Sequence, residues 1–226
     1  MGHRPENEAH EARIGALGRA YADALLAGDQ AAAEIAIREA MDAGLRTPQI
    51  DDVIIAPALW MVGELWERGE ISVADEHLAT EISLRVLALQ REAQRMSDAR
   101  GTRRVLLATP AGELHVVALR MTGNLLRDAG YAVVMLGPDV PTDALVAAAA
   151  RHRPDVICLS STMPRGAAQV LIAIDAVAHL SSVSGFVLGG RGLTSQSRSR
   201  PRIDVCRRVS DVVDAVDAIV KRSALN

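Results

Sequence analysis

The period of the hydrophobic pattern changes once along the chain, near residue 100, and that change constrains the fold more than any other feature. Residues 8–97 carry apolar side chains three and four apart: Ile14, Leu17, Tyr21 and Leu25 in one stretch, then Ile35, Ile37 and Met41. Gly28-Asp29 and Ala43-Gly44 are stop signals between helices. Thr47-Pro48 opens a third helix with a cap residue and a proline in its first turn. That helix runs through Val53, Ile54, Leu59 and Val62 to Trp66, with Pro57 as a candidate kink. Ser72-Val73-Ala74-Asp75 predicts a capping box for a fourth helix bearing Leu78, Ile82, Val86 and Leu89 on one face. Four helices with short connections predict a four-helix bundle over residues 8–97.

The polar segment Ser97–Gly101 is the expected boundary. Beyond it, short β-branched runs alternate with helical patterns. Strands are predicted at Val105–Ala108, Ala132–Leu136, Val156–Ser160, Gly185–Leu188 and, weakly, Ile203–Cys206, with helices near 114–129, 142–152, 165–179 and 209–222. Apolar strands alternating with helices imply a parallel sheet covered on both faces. Residues 103–226 are therefore expected to form a flavodoxin-like, doubly wound, five-stranded α/β domain. The fold class is a helical bundle followed by this α/β unit.

A net charge of −3 gives no general attraction to nucleic acid or anionic lipid. The longest apolar stretches fall short of the roughly 20 residues of a membrane span, and the polar N-terminus lacks a signal-peptide core. Cys158 and Cys206 lack metal-site spacing and read as reduced thiols. A cytoplasmic protein that does not engage membranes is expected. Aromatic residues are only 2% of the chain, so the core must rest on Ala, Val, Leu and Ile, and Trp60 and Trp66 stand out. One of the two is a candidate for ligand contact.

In doubly wound sheets, ligands bind outside the carboxyl ends of the strands. The loop after the first strand is Thr109-Pro110-Ala111-Gly112-Glu113-Leu114-His115. A carboxylate two residues before a histidine can accept from one imidazole nitrogen and leave the other as a lone-pair donor to a metal. A helix-capping Glu beside an incidental His reads equally well from this loop alone. The third-strand loop, Ser160-Ser161-Thr162-Met163-Pro164, offers hydroxyls for a ligand or for capping. The fourth strand ends in Gly189-Gly190, which suits close backbone approach or a simple turn. No Gly-x-Gly-x-x-Gly follows the first strand.

Together these loops resemble the cobalamin-binding domain family, whose pattern is Asp/Glu-x-His-x-x-Gly, then Ser-x-Leu/Thr, then Gly-Gly. Here it reads Glu113-Leu114-His115-Val116-Val117-Ala118, then Ser160-Ser161-Thr162, then Gly189-Gly190. Leu136–Pro141 also looks like the family's second-strand loop. The one departure is Ala118, where the family usually has Gly. The resemblance implies that His115 is the lower axial ligand of cobalt in place of the cofactor's own base, oriented by Glu113. It further implies that Leu114, Val116 and Val117 lie beside the corrin, that Ser160 and Thr162 flank the displaced nucleotide tail, and that Gly189 and Gly190 leave room for it.

In the bundle, Trp66 is followed after nine residues by Glu76-His77, with Val73 between them. Packing of a helical hairpin and a favourable Glu at a helix N-terminus account for these residues on their own. Beside a cobalamin-binding domain, the spacing resembles cobalamin-dependent photoreceptors of the CarH type and their AerR-type relatives without a DNA-binding domain. The resemblance implies that Trp66, Val73, Glu76 and His77 cap the upper axial group, usually 5′-deoxyadenosyl. It also implies that loss of this group on illumination shifts the bundle about a hinge at Ser97–Gly101. Two departures matter. Only about ten polar residues precede the first predicted helix, so direct DNA binding is not expected. Glu67 follows Trp66 where CarH has a cobalt-ligating histidine, so His77 or water is left to take the light-state position.

Three functions follow as expectations. The first is a light-responsive regulator that binds adenosylcobalamin, is not itself an enzyme, forms a dimer or tetramer in the dark, and signals to a protein partner such as a transcription regulator. The second is a corrinoid methyl carrier of a methyltransferase system, holding methylcobalamin. The third is a flavodoxin-like domain without cobalamin. The basic stretch Arg191–Arg202 is a solvated loop or a contact for cofactor or partner.

Overall fold

A computed structural model describes residues 3–93, 101–193, 200 and 202–225. The chain divides into two compact units, Met1–Arg95 and Met96–Asn226. The first unit is helical: α1 (His3–Ala27), α2 (Gln30–Asp42), α3 (Thr47–Ile50), a π-turn (Asp51–Ile55), α4 (Ala56–Glu67) and α5 (Val73–Ala93). Helix α1 starts earlier than the sequence suggests, because its first turns carry no apolar period to reveal them. Gly28 ends α1 at φ +65°: its N–H reaches the Leu25 carbonyl, while the Asp29 N–H reaches that of Ala24. Asp29 then starts α2, its carboxylate accepting from Ala32 N at 3.0 Å.

The predicted third helix is interrupted rather than simply kinked. Ala56 N–H reaches back to the Asp51 carbonyl across the π-turn, immediately ahead of Pro57, which has no N–H to donate. The capping box at α5 forms as predicted, with Asp75 N donating to Ser72 Oγ and Ser72 N to Asp75 Oδ2.

Helix α1 packs on α2, α4 and α5 around small and aliphatic side chains such as Leu17, Leu25, Ile37, Ile54 and Val86. Within this core the Tyr21 hydroxyl donates to Ser83 Oγ at 2.9 Å, and Ser83 Oγ donates to the Ala79 carbonyl. Tyr21→Phe removes one buried bond while Ser83 keeps its own acceptor. The expected cost is about 1 kcal/mol, read as a lower urea midpoint with an unchanged slope.

The second unit contains β1 (Arg104–Pro110), α6 (Val117–Asp128), β2 (Ala132–Val140), α7 (Thr142–His152), β3 (Val156–Ser160), a 3₁₀ turn (Pro164–Gly166), α8 (Ala167–Val177), β4 (Gly185–Gly189), β5 (Ile203–Val205), a 3₁₀ turn (Val209–Asp211) and α9 (Val212–Ser223). All pairings are parallel, in the order β2-β1-β3-β4-β5. This is the flavodoxin-like winding expected from the sequence. Helices α7 and α8 pack together on one face, α6 and α9 on the other. Leu106, Ile157, Val170, Ile174 and Phe186 belong to the core cluster on the α7–α8 side.

The direction of winding reverses between β1 and β3, and a crevice at the carboxyl ends of these two strands is where such sheets hold ligands. Two details at this edge differ from expectation. Strand β2 does not stop at Leu136. It continues through register shifts opposite Leu107 and Ala108, with Gly137 and Asp139 at positive φ, and Pro110 pairs with Val140. Helix α6 begins at Val117 rather than 114, so Glu113–Val116 form a loop. The expected hinge at 97–100 and most of the basic stretch 191–202 lie outside the described residues.

Candidate functional site

Strand β1 runs into a turn in which Glu113 N–H donates to the Pro110 carbonyl at 3.0 Å and Gly112 takes φ +80°. The chain then leaves the sheet edge as the Glu113–Val116 loop. Leu114 is exposed, whereas Val116 and Val117 are buried where α6 begins.

Glu113 and His115 form the pair expected from their spacing. His115 Nδ1 lies 2.5 Å from Glu113 Oε1, and the same oxygen accepts His115 N–H at 3.1 Å. The carboxylate side chain is 1% exposed and the imidazole 43% exposed, so the buried partner orients the accessible one. The other oxygen, Oε2, accepts from Thr162 N at 2.7 Å, Met163 N at 3.1 Å and Ser161 Oγ at 3.4 Å. Burial pushes this carboxyl upward. The bonds from the His115 ring and from the Met163, His115 and Thr162 backbones outweigh it and bring the pKa down to about 2. Glu113 is thus an anion near neutral pH. An anion accepting from Nδ1–H fixes the tautomer whose lone pair is on Nε2. That is the arrangement of a metal-ligating imidazole and its outer partner.

The β3 loop supplies these donors mostly through its backbone. Ser160 is buried at the strand end, and Thr162 contributes its amide rather than its hydroxyl to Glu113. Sequence reasoning missed Ser161, which is fully buried against the Glu113 carboxylate. It also missed Gly166, where a Cβ would stand 2.3 Å from Ser161 Oγ.

The two glycines at the end of β4 differ. A Cβ on Gly189 meets nothing within 4 Å, so space is open there. Gly190 has φ +104°, and a Cβ on it would lie 2.0 Å from the Ser161 carbonyl oxygen. Bonds from Ser161 N to Gly189 O and from Gly192 N to Ser161 O, both 3.0 Å, hold the two loops together.

In the helical unit, Trp66 near the end of α4 and Val73 at the start of α5 are 38% and 52% exposed, although both are large and apolar. Glu76 Oε2 lies 2.6 Å from His77 Nδ1, and its Oε1 accepts from Thr80 Oγ1 at 3.1 Å. The four residues flank one hairpin, Glu76 mostly covered and His77 open to solvent. Among the described residues, no helix is long and apolar enough to cross a membrane, and both cysteines are free thiols.

Family profiles described as B12 binding domain match residues 103–216 and, separately, residues 17–89. The HTH-type transcriptional repressor CarH of Myxococcus xanthus is 32% identical over 151 residues, 65% of this chain and 49% of that protein. Trimethylamine corrinoid protein 1 of Methanosarcina acetivorans is 28% identical over 138 residues, 60% of this chain and 63% of that protein. The chain thus spans about half the length of the repressor. The monomethylamine corrinoid protein of Methanosarcina barkeri has the same fold, with a TM-score of 0.73 over 89% of this chain and 96% of that one at 17% identity.

Proposed function

The chain belongs to the B12 binding domain family, and from that premise we propose that it holds a cobalamin with His115 as the lower cobalt ligand and works as a light-responsive regulator rather than an enzyme. One observation carries the ligand assignment: the accessible imidazole is held through Nδ1 by a buried carboxylate that is itself saturated with donors. A single oriented imidazole suits a metal whose equatorial positions are filled by its own macrocycle. The open space at Gly189 suits a slender tail lying along the sheet edge. The donor set therefore fits the group.

In this reading Nε2 of His115 binds cobalt and Glu113 keeps the ring from turning. Leu114, Val116 and Val117 flank the corrin beside it, while Ser160 and Thr162 line the path of the tail. Gly189 leaves the tail room, and Gly190 lets its loop close on Ser161. From the helical unit, Trp66 and Val73 offer apolar cover to an upper axial group, and Glu76 and His77 offer polar contacts. When bound, adenosylcobalamin supplies a cobalt–carbon bond that light can break. Glu67 stands where a histidine follows the tryptophan in CarH-type photoreceptors, so His77, or water in its place, would be left to hold the metal after illumination. The output is a change in conformation or assembly, from a dark dimer or tetramer, passed to a protein partner such as a transcription regulator in the cytoplasm.

The same Glu67 supports a second reading. Without the photoreceptor histidine, the chain also suits a corrinoid carrier that presents methylcobalamin to a methyltransferase, and its likeness to the trimethylamine corrinoid protein agrees.

The test is absorbance and elution volume of the full chain with adenosylcobalamin, in the dark and after green light, beside a His115→Ala variant. The regulator reading expects a base-off, histidine-coordinated spectrum, a single light-driven change and a shift in elution. His115→Ala is expected to lose the histidine-coordinated spectrum entirely. A carrier binds methylcobalamin in preference and shows no light-linked change in assembly. If His115→Ala keeps the spectrum of the unmodified protein, the ligand assignment is wrong.

A further inference from the structure

Glu113 is held at both ends, and the second hold has no counterpart in the ligand motif itself. Its carboxylate is fixed by the β3 loop. Its carbonyl accepts from the Thr109 hydroxyl at 2.5 Å and from Asp139 N–H at 3.0 Å. The same Asp139 N–H also reaches Thr109 Oγ1 at 2.9 Å, and Asp139 Oδ1 accepts Gly112 N–H at 2.7 Å. Asp139 therefore grips the loop before His115 from both sides: its amide faces the Glu113 carbonyl and its carboxylate faces the Gly112 amide.

The residue adopts φ +53°, a left-handed conformation that costs most side chains energy and that Asp and Asn tolerate best. It lies past the irregular part of β2, where the register against β1 shifts so that Pro110 meets Val140. A strand that ended at Leu136 could not deliver these bonds. At the irregular end of β2, Val140 joins the hydrophobic core, but Asp139 beside it is exposed in an unfavourable backbone conformation, and its hydrogen bonds go to Thr109 and to the turn before His115.

We propose that Asp139 is a positioning residue for His115, clamping the Pro110–Glu113 turn from β2 so that the imidazole is presented at a fixed height above the sheet edge. The proposal rests on His115 being the cobalt ligand. It adds a third strand to the support of that ligand, with β1 carrying the loop, β3 holding the Glu113 carboxylate and β2 holding its backbone.

Two substitutions separate the acceptor from the backbone conformation. Asp139→Gly keeps the left-handed backbone and loses the acceptor. Asp139→Asn keeps both the conformation and an oxygen that can accept from Gly112. Two measurements follow on the full chain. The first, without cofactor, is hydrogen exchange of the Gly112 amide. The second is the fraction of bound methylcobalamin in the histidine-coordinated form in the dark, read by absorbance. Asp139→Gly is expected to speed Gly112 exchange at least tenfold and to lower the histidine-coordinated fraction several-fold, with a melting temperature within a few degrees of the unmodified chain. Asp139→Asn is expected to restore both readouts to within twofold.

If Asp139→Gly leaves both readouts unchanged, or Asp139→Asn is as damaging as Asp139→Gly, the positioning role is overturned while His115 can remain the ligand. If the unmodified chain gives no histidine-coordinated spectrum, the ligand reading itself fails, and the positioning role fails with it whatever the exchange data show.

Discussion

Gly190→Ala is expected to cost the α/β unit about 4 kcal/mol or more, a large share of a typical domain's stability. Two penalties combine. At φ +104° an alanine occupies a region that is nearly exclusive to glycine, worth roughly 1–3 kcal/mol. Its Cβ would also lie 2.0 Å from the Ser161 carbonyl oxygen and 2.6 Å from the carbonyl carbon. These are backbone atoms, with no side chain that can swing aside. Relief requires the β3 and β4 loops to part, which breaks the bonds from Ser161 N to Gly189 O and from Gly192 N to Ser161 O. Each buried donor or acceptor left without a partner adds roughly 1–3 kcal/mol. Against a typical domain stability of about 5–15 kcal/mol the loss is severe. Urea denaturation followed by far-ultraviolet circular dichroism measures it, and a change below about 1 kcal/mol would contradict the packing described.

The neighbouring position gives the contrast. A Cβ on Gly189 meets nothing within 4 Å, so Gly189→Ala is expected to leave stability within about 0.5 kcal/mol of the original. A paired glycine motif therefore carries two separate requirements. One glycine lets two loops touch, and the other leaves a surface open. Their adjacency in sequence conceals the difference, because both read simply as missing side chains.

That concealment marks the limit of what the sequence can disclose. The strand–helix alternation after residue 103 and the apolar periods before residue 97 were legible because burial imposes them on every second, third or fourth residue. So was the Glu113–His115 pair, since both partners lie two residues apart on one loop at a strand end. The full length of β2 was not, because Gly137-Pro138 resembles a strand stop while the backbone continues through a register shift. The start of α1 was hidden because its opening turns carry no apolar stripe, and the π-turn at Asp51–Ile55 has no side-chain signature of its own. The support around Glu113 was the least visible. It comes from the amides of Thr162, Met163 and Asp139, and an amide is common to almost every residue type. Among the described residues, Ser161 and Thr109 add side-chain hydroxyls to the His115 ring, and a serine or threonine at a strand end reads as a cap as easily as a partner.

Glu113→Gln tests that support most directly, because the substitution preserves shape and alters only charge and donor pattern. Among the described residues, the groups bonded to the carboxylate all donate: His115 N and Nδ1 on one oxygen, and Thr162 N, Met163 N and Ser161 Oγ on the other. A glutamine amide can offer its oxygen to only one of the two sets and must point N–H groups at the other. If the oxygen faces the β3 loop, the amide donates toward Nδ1, and the imidazole must place its proton on Nε2. The lone pair assigned to cobalt is then lost even though the ring stays in place.

Destabilisation of about 3 kcal/mol is expected near neutral pH, from the lost charge-assisted bonds and the donors left facing one another. The acid limb of the stability profile should change as well. The native carboxyl titrates at about 2 against an ordinary value of 4.5. Between these values the unfolded chain binds more protons than the folded one, so stability rises with pH there. It is fully present above about 4.5 and drains away as pH falls toward 2, a contribution of about 3 kcal/mol. Glu113→Gln should lack this component, so its stability gap from the unmodified chain should narrow as pH falls from 5 to 3. Urea denaturation across that range reads the slope, and the cobalamin spectrum of the same variant reads the tautomer. A gap that stays constant with pH, together with an unaltered histidine-coordinated spectrum, is the result that the Glu113–His115 geometry cannot accommodate.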